Sequence, residues 1–100
     1  MRKQLITIII ESLKELNEDL EKKELKNPTS ETKLYGAGGV LDSLALVTLI
    51  TDLEEKVSEE FGKSITLADE RAMSQRRSPF RDVKSLAEYI ETLLKEDDNE

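Results

Sequence analysis

Gly39-Val40-Leu41-Asp42-Ser43-Leu44-Ala45-Leu46-Val47-Thr48-Leu49-Ile50-Thr51-Asp52-Leu53-Glu54-Glu55 is the stretch whose reading decides the fold. Ahead of it Gly36, Gly38 and Gly39 signal a turn. Asp42 and Ser43 then supply an acid and a hydroxyl, and apolar residues follow at helical spacing. Ser43 is thereby expected at the mouth of a helix, where the first backbone N–H groups lack intrahelical acceptors and the macrodipole leaves partial positive charge. A phosphate on that serine would be favourably placed. Asp42 or Ser43 can equally act as a plain N-cap, which is all that a bare Asp-Ser-Leu tripeptide signals.

Outward from this start, the spacing predicts a helix from Ser43 to Phe61 that buries Leu46, Leu49, Ile50, Leu53, Val57 and Phe61, with Gly62 marking its end. Asp52, Glu54, Glu55, Glu59 and Glu60 are left for water. From Asp42 to Phe61 there are six acids and one base, Lys56, a charge of −5. That is either a solvated face or an acidic surface for partners.

Before the glycines, Leu5, Ile9, Leu13, Leu16 and Leu20 form a stripe at spacings of three and four and predict a first helix. Glu18 with Lys22 and Asp19 with Lys23 are spaced as i, i+4 pairs on it. Asn27-Pro28-Thr29-Ser30 is expected to end that helix, because Pro28 cannot continue it. The loop to Leu41 is long for a small domain, and Leu34 and Tyr35 are expected to pin it to the core.

After Gly62, Ile65-Thr66-Leu67 is expected to re-enter the core, with Thr66 to Asp69 spaced as the start of a short helix through Met73. From Gly62 to Lys84 six bases meet three acids, a local +3 centred on Arg71 to Arg81. The cluster serves either to neutralise the chain's own acids or to contact an anionic cargo or partner. Asp82 or Ser85 caps a last helix, with Ser85 and Glu88 spaced as a capping box and Val83, Leu86, Ile90, Leu93 and Leu94 on its apolar face. Residues 1–95 read as a single domain and 96–100 as a polar, disordered tail.

One hundred residues with 37% apolar and 37% charged side chains and four aromatics fit a small helical bundle with a thin core. Net charge is −7, which disfavours nucleic acid and anionic membranes as partners. With no cysteine and no histidine, disulfides, Cys/His zinc sites, thiol nucleophiles and the usual neutral-pH proton carrier are excluded. The apolar run Leu5 to Ile10 is too short for a secretory leader or a membrane span, so a soluble cytoplasmic protein is the expectation; a monomer is the expected state.

Asp42, Ser43, Leu44, Val47, Leu49, Leu53, Glu54 and Glu55 stand in the register of a known pattern: Gly-x-x-Asp-Ser-Leu, then Val, Leu and Leu-Glu at helical offsets. The chain resembles the acyl carrier protein family. Leu34-Tyr35-Gly36 and Phe61-Gly62-Lys63-Ser64-Ile65 are similar to stand-alone carriers such as the D-alanyl carriers. The likeness runs from about Leu5 to Leu94, and its specific part is Gly39 to Glu55.

The resemblance implies an all-α, acyl-carrier-like bundle of three longer helices plus one or two short helical turns between the second and last. It implies that Ser43 is esterified by 4′-phosphopantetheine from coenzyme A, a phosphoprotein whose arm holds acyl groups as thioesters; the chain itself is then no enzyme. Asp42 would assist priming, Leu44 would pack near the arm, and Asp52, Glu54, Glu55, Glu59 and Glu60 would dock partners. Those partners are a phosphopantetheinyl transferase, a loading ligase or transferase and downstream biosynthetic enzymes. Val47, Leu49, Ile50, Leu67, Phe80 and Ile90 would line a cargo space, and all six serve equally well as core.

Fatty-acid carriers place acids two and five positions after the serine, where this chain has Ala45 and Thr48. That departure points to a specialised lipid, polyketide or related pathway. Two alternatives stay open: an aminoacyl carrier loaded by an adenylating ligase, and an unmodified helical adaptor.

Overall fold

The helical periodicities become three α-helices around one core in the computed structural model, which describes residues 1–36, 38–67 and 79–98. They are α1 (Arg2–Leu20), α2 (Ser43–Phe61) and α3 (Val83–Asp98), with a 3-10 turn at Lys23–Leu25. Among the described residues the architecture is an all-α bundle of three helices. Among the described residues there is no strand, only an isolated antiparallel bridge between Lys33 and Asp82. No helix among them is long and apolar enough to cross a membrane.

Helix α1 packs against both others. Leu5, Ile9 and Leu13 of its stripe are buried, and Leu16 and Leu20 pack half-exposed at the edge of the core. From α2 come Ala45, Leu46, Leu49, Ile50, Leu53 and Val57, and from α3 Val83, Leu86, Ala87, Ile90 and Leu94. Each fully buried Leu or Ile stabilises the bundle by about 1.5–3 kcal/mol relative to exposure. Phe61, expected inside, is only half-buried, because it is the last residue of α2 before Gly62 turns the chain away with φ 68°. Leu34, Leu67 and Phe80 reach the same core from the connections, and Ile65 and Tyr35 pack against it.

The end of α1 differs from expectation. The helix stops at Leu20, well before Pro28, because Glu21 adopts the left-handed conformation and its N–H returns to the Asn17 carbonyl at 2.8 Å. The Asn17 side chain also takes the Lys22 N–H at 2.7 Å. Lys22 and Lys23 therefore lie beyond the helix, and their expected i, i+4 pairing with Glu18 and Asp19 does not form. Pro28 is instead buried in the loop.

At the other end, Asp82 is the cap of α3: its Oδ1 accepts the Ser85 N–H at 2.7 Å. The Ser85–Glu88 capping box is not made, since Ser85 already lies in the first turn. Its Oγ accepts from Arg81 Nε at 2.9 Å, while Glu88 pairs with Arg2 at 3.3 Å. Helical backbone continues to Asp98, into the segment read from composition as tail. The short turn that is seen, Lys23–Leu25, precedes α2 rather than following it. The short helix expected from Thr66 to Met73, and the basic cluster from Arg71 up to Ser78, fall largely on residues 68–78, outside the described residues.

Candidate functional site

Ser43 is the first residue of α2. The Asp42 side chain accepts the Ala45 N–H at 2.8 Å, and its carbonyl accepts the Leu46 N–H at 2.9 Å, so the helix start is capped by Asp42 rather than by the serine. This leaves the Ser43 hydroxyl free. Among the described residues it makes no hydrogen bond, and the N–H groups of Ser43 and Leu44 have no acceptor. An exposed hydroxyl thus sits beside two open donors at the positive end of a nineteen-residue helix.

The approach to Ser43 is fixed by close backbone packing. A Cβ on Gly39 would lie 2.8 Å from the Leu34 carbonyl oxygen and from the Tyr35 backbone, so only glycine fits there. Leu41 donates its N–H to that same Leu34 oxygen at 2.8 Å, and Gly39 donates to Gly36 at 2.9 Å. Lys22 Nζ donates to the Val40 carbonyl at 2.8 Å.

Chemically, the arrangement offers a hydroxyl as a substrate. Among the described residues no side chain is placed to activate Ser43 as a catalytic nucleophile: the sequence has no histidine, and the Asp42 carboxylate accepts from Ala45. Among the described residues no group of acids is arranged to hold a metal ion.

Beyond the serine, α2 presents a graded face. Leu44 is 76% exposed and Val47 48%. Thr48 and Thr51 continue the stripe, and their hydroxyls bond back to the carbonyls of Leu44 and Val47 at 3.1 and 3.0 Å, which satisfies the polar atoms within the helix. The stripe then reaches Glu55 and Glu59. Of the five acids expected to meet partners, Glu55, Glu59 and Glu60 are exposed. Glu54 is half-buried and accepts the Leu67 N–H at 2.6 Å, tying the connection after α2 to the helix. Asp52 is paired with Lys56 at 3.1 Å.

Lys56, the one base of α2, faces α1. It bonds the buried Ser12 hydroxyl at 3.1 Å and also Glu15. Burial works against its charge, but hydrogen bonds to Glu15 and Asp52 outweigh it and hold the ammonium above the ordinary lysine range. The exposed acids of α2 therefore keep their charge uncompensated by their own helix.

Five of the six residues expected to line a cargo space, or else the core, lie together, and one lies apart. Leu49, Ile50, Leu67, Phe80 and Ile90 are all buried in the core, and Val47 is on the surface. Sequence reasoning passed over Lys22 and Lys56 as site-shaping residues. For Lys56 there was a signal, a single base among six acids; for Lys22 helical spacing pointed to the wrong partner. Compared with protein-family models, curated proteins and solved structures, the chain matches none.

Proposed function

We propose that this chain is a carrier: Ser43 receives 4′-phosphopantetheine from coenzyme A, and the arm's thiol holds acyl or aminoacyl groups for partner enzymes. The observation that carries the reading is the exposed Ser43 hydroxyl at the first position of α2, without a hydrogen-bond partner among the described residues, beside the N–H groups of Ser43 and Leu44, which have no acceptor among them either. In priming, Ser43 Oγ forms the new bond to phosphorus as the pyrophosphate bond of coenzyme A breaks, and adenosine bisphosphate leaves. The base that takes the serine proton comes from the transferase. Once attached, the phosphate is stabilised by the helix dipole and the two donors.

Leu44, Val47 and the threonine methyls would meet an apolar patch on the partner, and Glu55, Glu59 and Glu60 would meet its basic residues. An apolar lead with an acidic flank fits a specialised partner better than a uniformly basic one, in line with Ala45 and Thr48 standing where fatty-acid carriers have acids. Loading by an adenylating ligase, giving an aminoacyl thioester, is equally compatible with this face.

The test is intact mass after incubation with coenzyme A and a broad-specificity phosphopantetheinyl transferase, with peptide mapping. The expected result is one phosphopantetheine on Ser43 and none in Ser43→Ala, which keeps the fold. If the folded chain stays unmodified even with the transferase of its own source, the carrier reading falls and an unmodified helical adaptor replaces it.

A further inference from the structure

Helical spacing pairs Lys22 with Glu18, yet the structure sends its ammonium to the Val40 carbonyl, 18 residues along the chain, in a partly buried hydrogen bond of 2.8 Å. The turn that delivers it is over-determined. Glu21 is the one non-glycine residue with positive φ, 52°, among those described, a conformation that an L residue adopts at a cost. The Asn17 carbonyl holds the Glu21 N–H and the Asn17 side chain holds the next one, that of Lys22. The stem of Lys22 leaves α1 at this fixed point and crosses to the loop ahead of Ser43.

Among the described residues the other hydrogen bonds of that loop are backbone ones, Gly39 to Gly36 and Leu41 to Leu34, and the Leu41 side chain is buried in the core. Among the described residues no other side chain bonds the backbone from Gly38 to Leu41. Val40 immediately precedes Leu41, which leads into the Asp42 cap, so the position of its carbonyl sets how the cap and serine enter α2.

We propose that Lys22 is a positioning residue for Ser43: its ammonium clamps the Val40 carbonyl and fixes the register of the loop that presents the serine. The consequence for priming rests on the carrier reading; the clamp itself is a property of the unprimed chain.

Amide hydrogen exchange on the full chain, together with priming kinetics, separates the two. Lys22→Met keeps an unbranched stem and removes the donor. Exchange at Gly39 and Leu41 should rise about tenfold, the scale expected for loss of one charge-assisted hydrogen bond. Amides in the middle of α1 and α2 should exchange as before, and Lys22→Arg should restore slow exchange in the loop. Asn17→Ala, which frees the turn but keeps the ammonium, should give a smaller rise at the same two amides.

With the loop in its competent arrangement for less of the time, the KM of Lys22→Met for the transferase should increase severalfold at unchanged kcat. Unchanged exchange at Gly39 and Leu41, or a rise spread through all three helices, overturns the clamp. Raised loop exchange with unchanged KM overturns its part in presenting Ser43. A wild-type chain that is never primed overturns the carrier reading, and the exchange comparison still decides the clamp.

Discussion

Helices α2 and α3 begin in the same way and end up doing different things. Asp42 Oδ1 takes the Ala45 N–H at 2.8 Å, and Asp82 Oδ1 takes the Ser85 N–H at 2.7 Å. The two aspartate carbonyls take the N–H groups of Leu46 and Leu86. What differs is the pair of donors between cap and third residue. At α3, the Val83 N–H goes to the Thr32 carbonyl at 3.1 Å and the Lys84 N–H to Ser30 at 2.8 Å. Leu34 and Tyr35 donate in turn to the carbonyls of Arg81 and Phe80. At α2 the equivalent donors, on Ser43 and Leu44, find no acceptor among the described residues. One helix start is consumed by the fold, and the other has no partner among the described residues.

The largest effect should come from loosening the closed start. Phe80 is fully buried and meets Tyr89 edge-on, with ring centroids 6.5 Å apart. Phe80→Ala should cost about 3–5 kcal/mol in chemical denaturation and release the loop from Ser30 to Tyr35. A loss under about 1 kcal/mol would mean that the weld at α3 does not depend on this anchor.

Gly39→Ala attacks the open start. Its Cβ would press on the Leu34 and Tyr35 backbones, which cannot yield as a flexible side chain would, and should cost about 1–3 kcal/mol. Priming should slow with it, measured by the same mass assay. Unimpaired stability would show that the loop has room to move.

The caps themselves should be nearly equivalent. Asp42→Ala and Asp82→Ala should each cost about 1 kcal/mol, while only Asp42→Ala slows transfer to Ser43. If Asp82→Ala slows it equally, the two starts are coupled and the contrast between them is weaker than their hydrogen bonds indicate.

The smallest effect lies in the ionic ties to α1. Glu91 is held below the usual carboxylate range, first by the hydrogen bond from Arg2 and then by that from Lys95. A carboxyl with a lowered folded-state pKa adds stability above its unfolded pKa and loses it as pH falls through the folded value. In Arg2→Ala the fall in stability on acidification below the carboxylate range should therefore be shallower, with little change in salt at neutral pH. Parallel pH profiles for the two proteins would remove Arg2 from the account.

Much of this is legible in the sequence. The bounds of α2 and its Gly62 stop are readable, because each is written in residues adjacent in sequence; that Asp42 rather than Ser43 caps it is settled by the Ala45 N–H bonding the Asp42 side chain. The stripe Leu5, Ile9 and Leu13 gave α1 for the same reason. The end of α1 was not legible, since Glu21 has no intrinsic reason to turn left-handed; the turn is held by Asn17 and by what Lys22 finds across the loop. Glu54 looked like any other exposed acid until its bond to the Leu67 backbone appeared. Val47 was placed in the cargo lining by resemblance, whereas in the structure it lies on the exposed face of α2 beside Leu44.

The sequence by itself determined that three amphipathic helices form, which faces are apolar, and that Asp42 and Ser43 stand at the head of α2, since these depend on near-neighbour spacing and capping chemistry. Only the tertiary structure decided which of two similarly capped helix starts would be closed. Occupation of the free N–H groups requires carbonyls from remote residues, Ser30 and Thr32 at α3, and no local pattern encodes their arrival. Packing sealed one start and left Ser43 in the open.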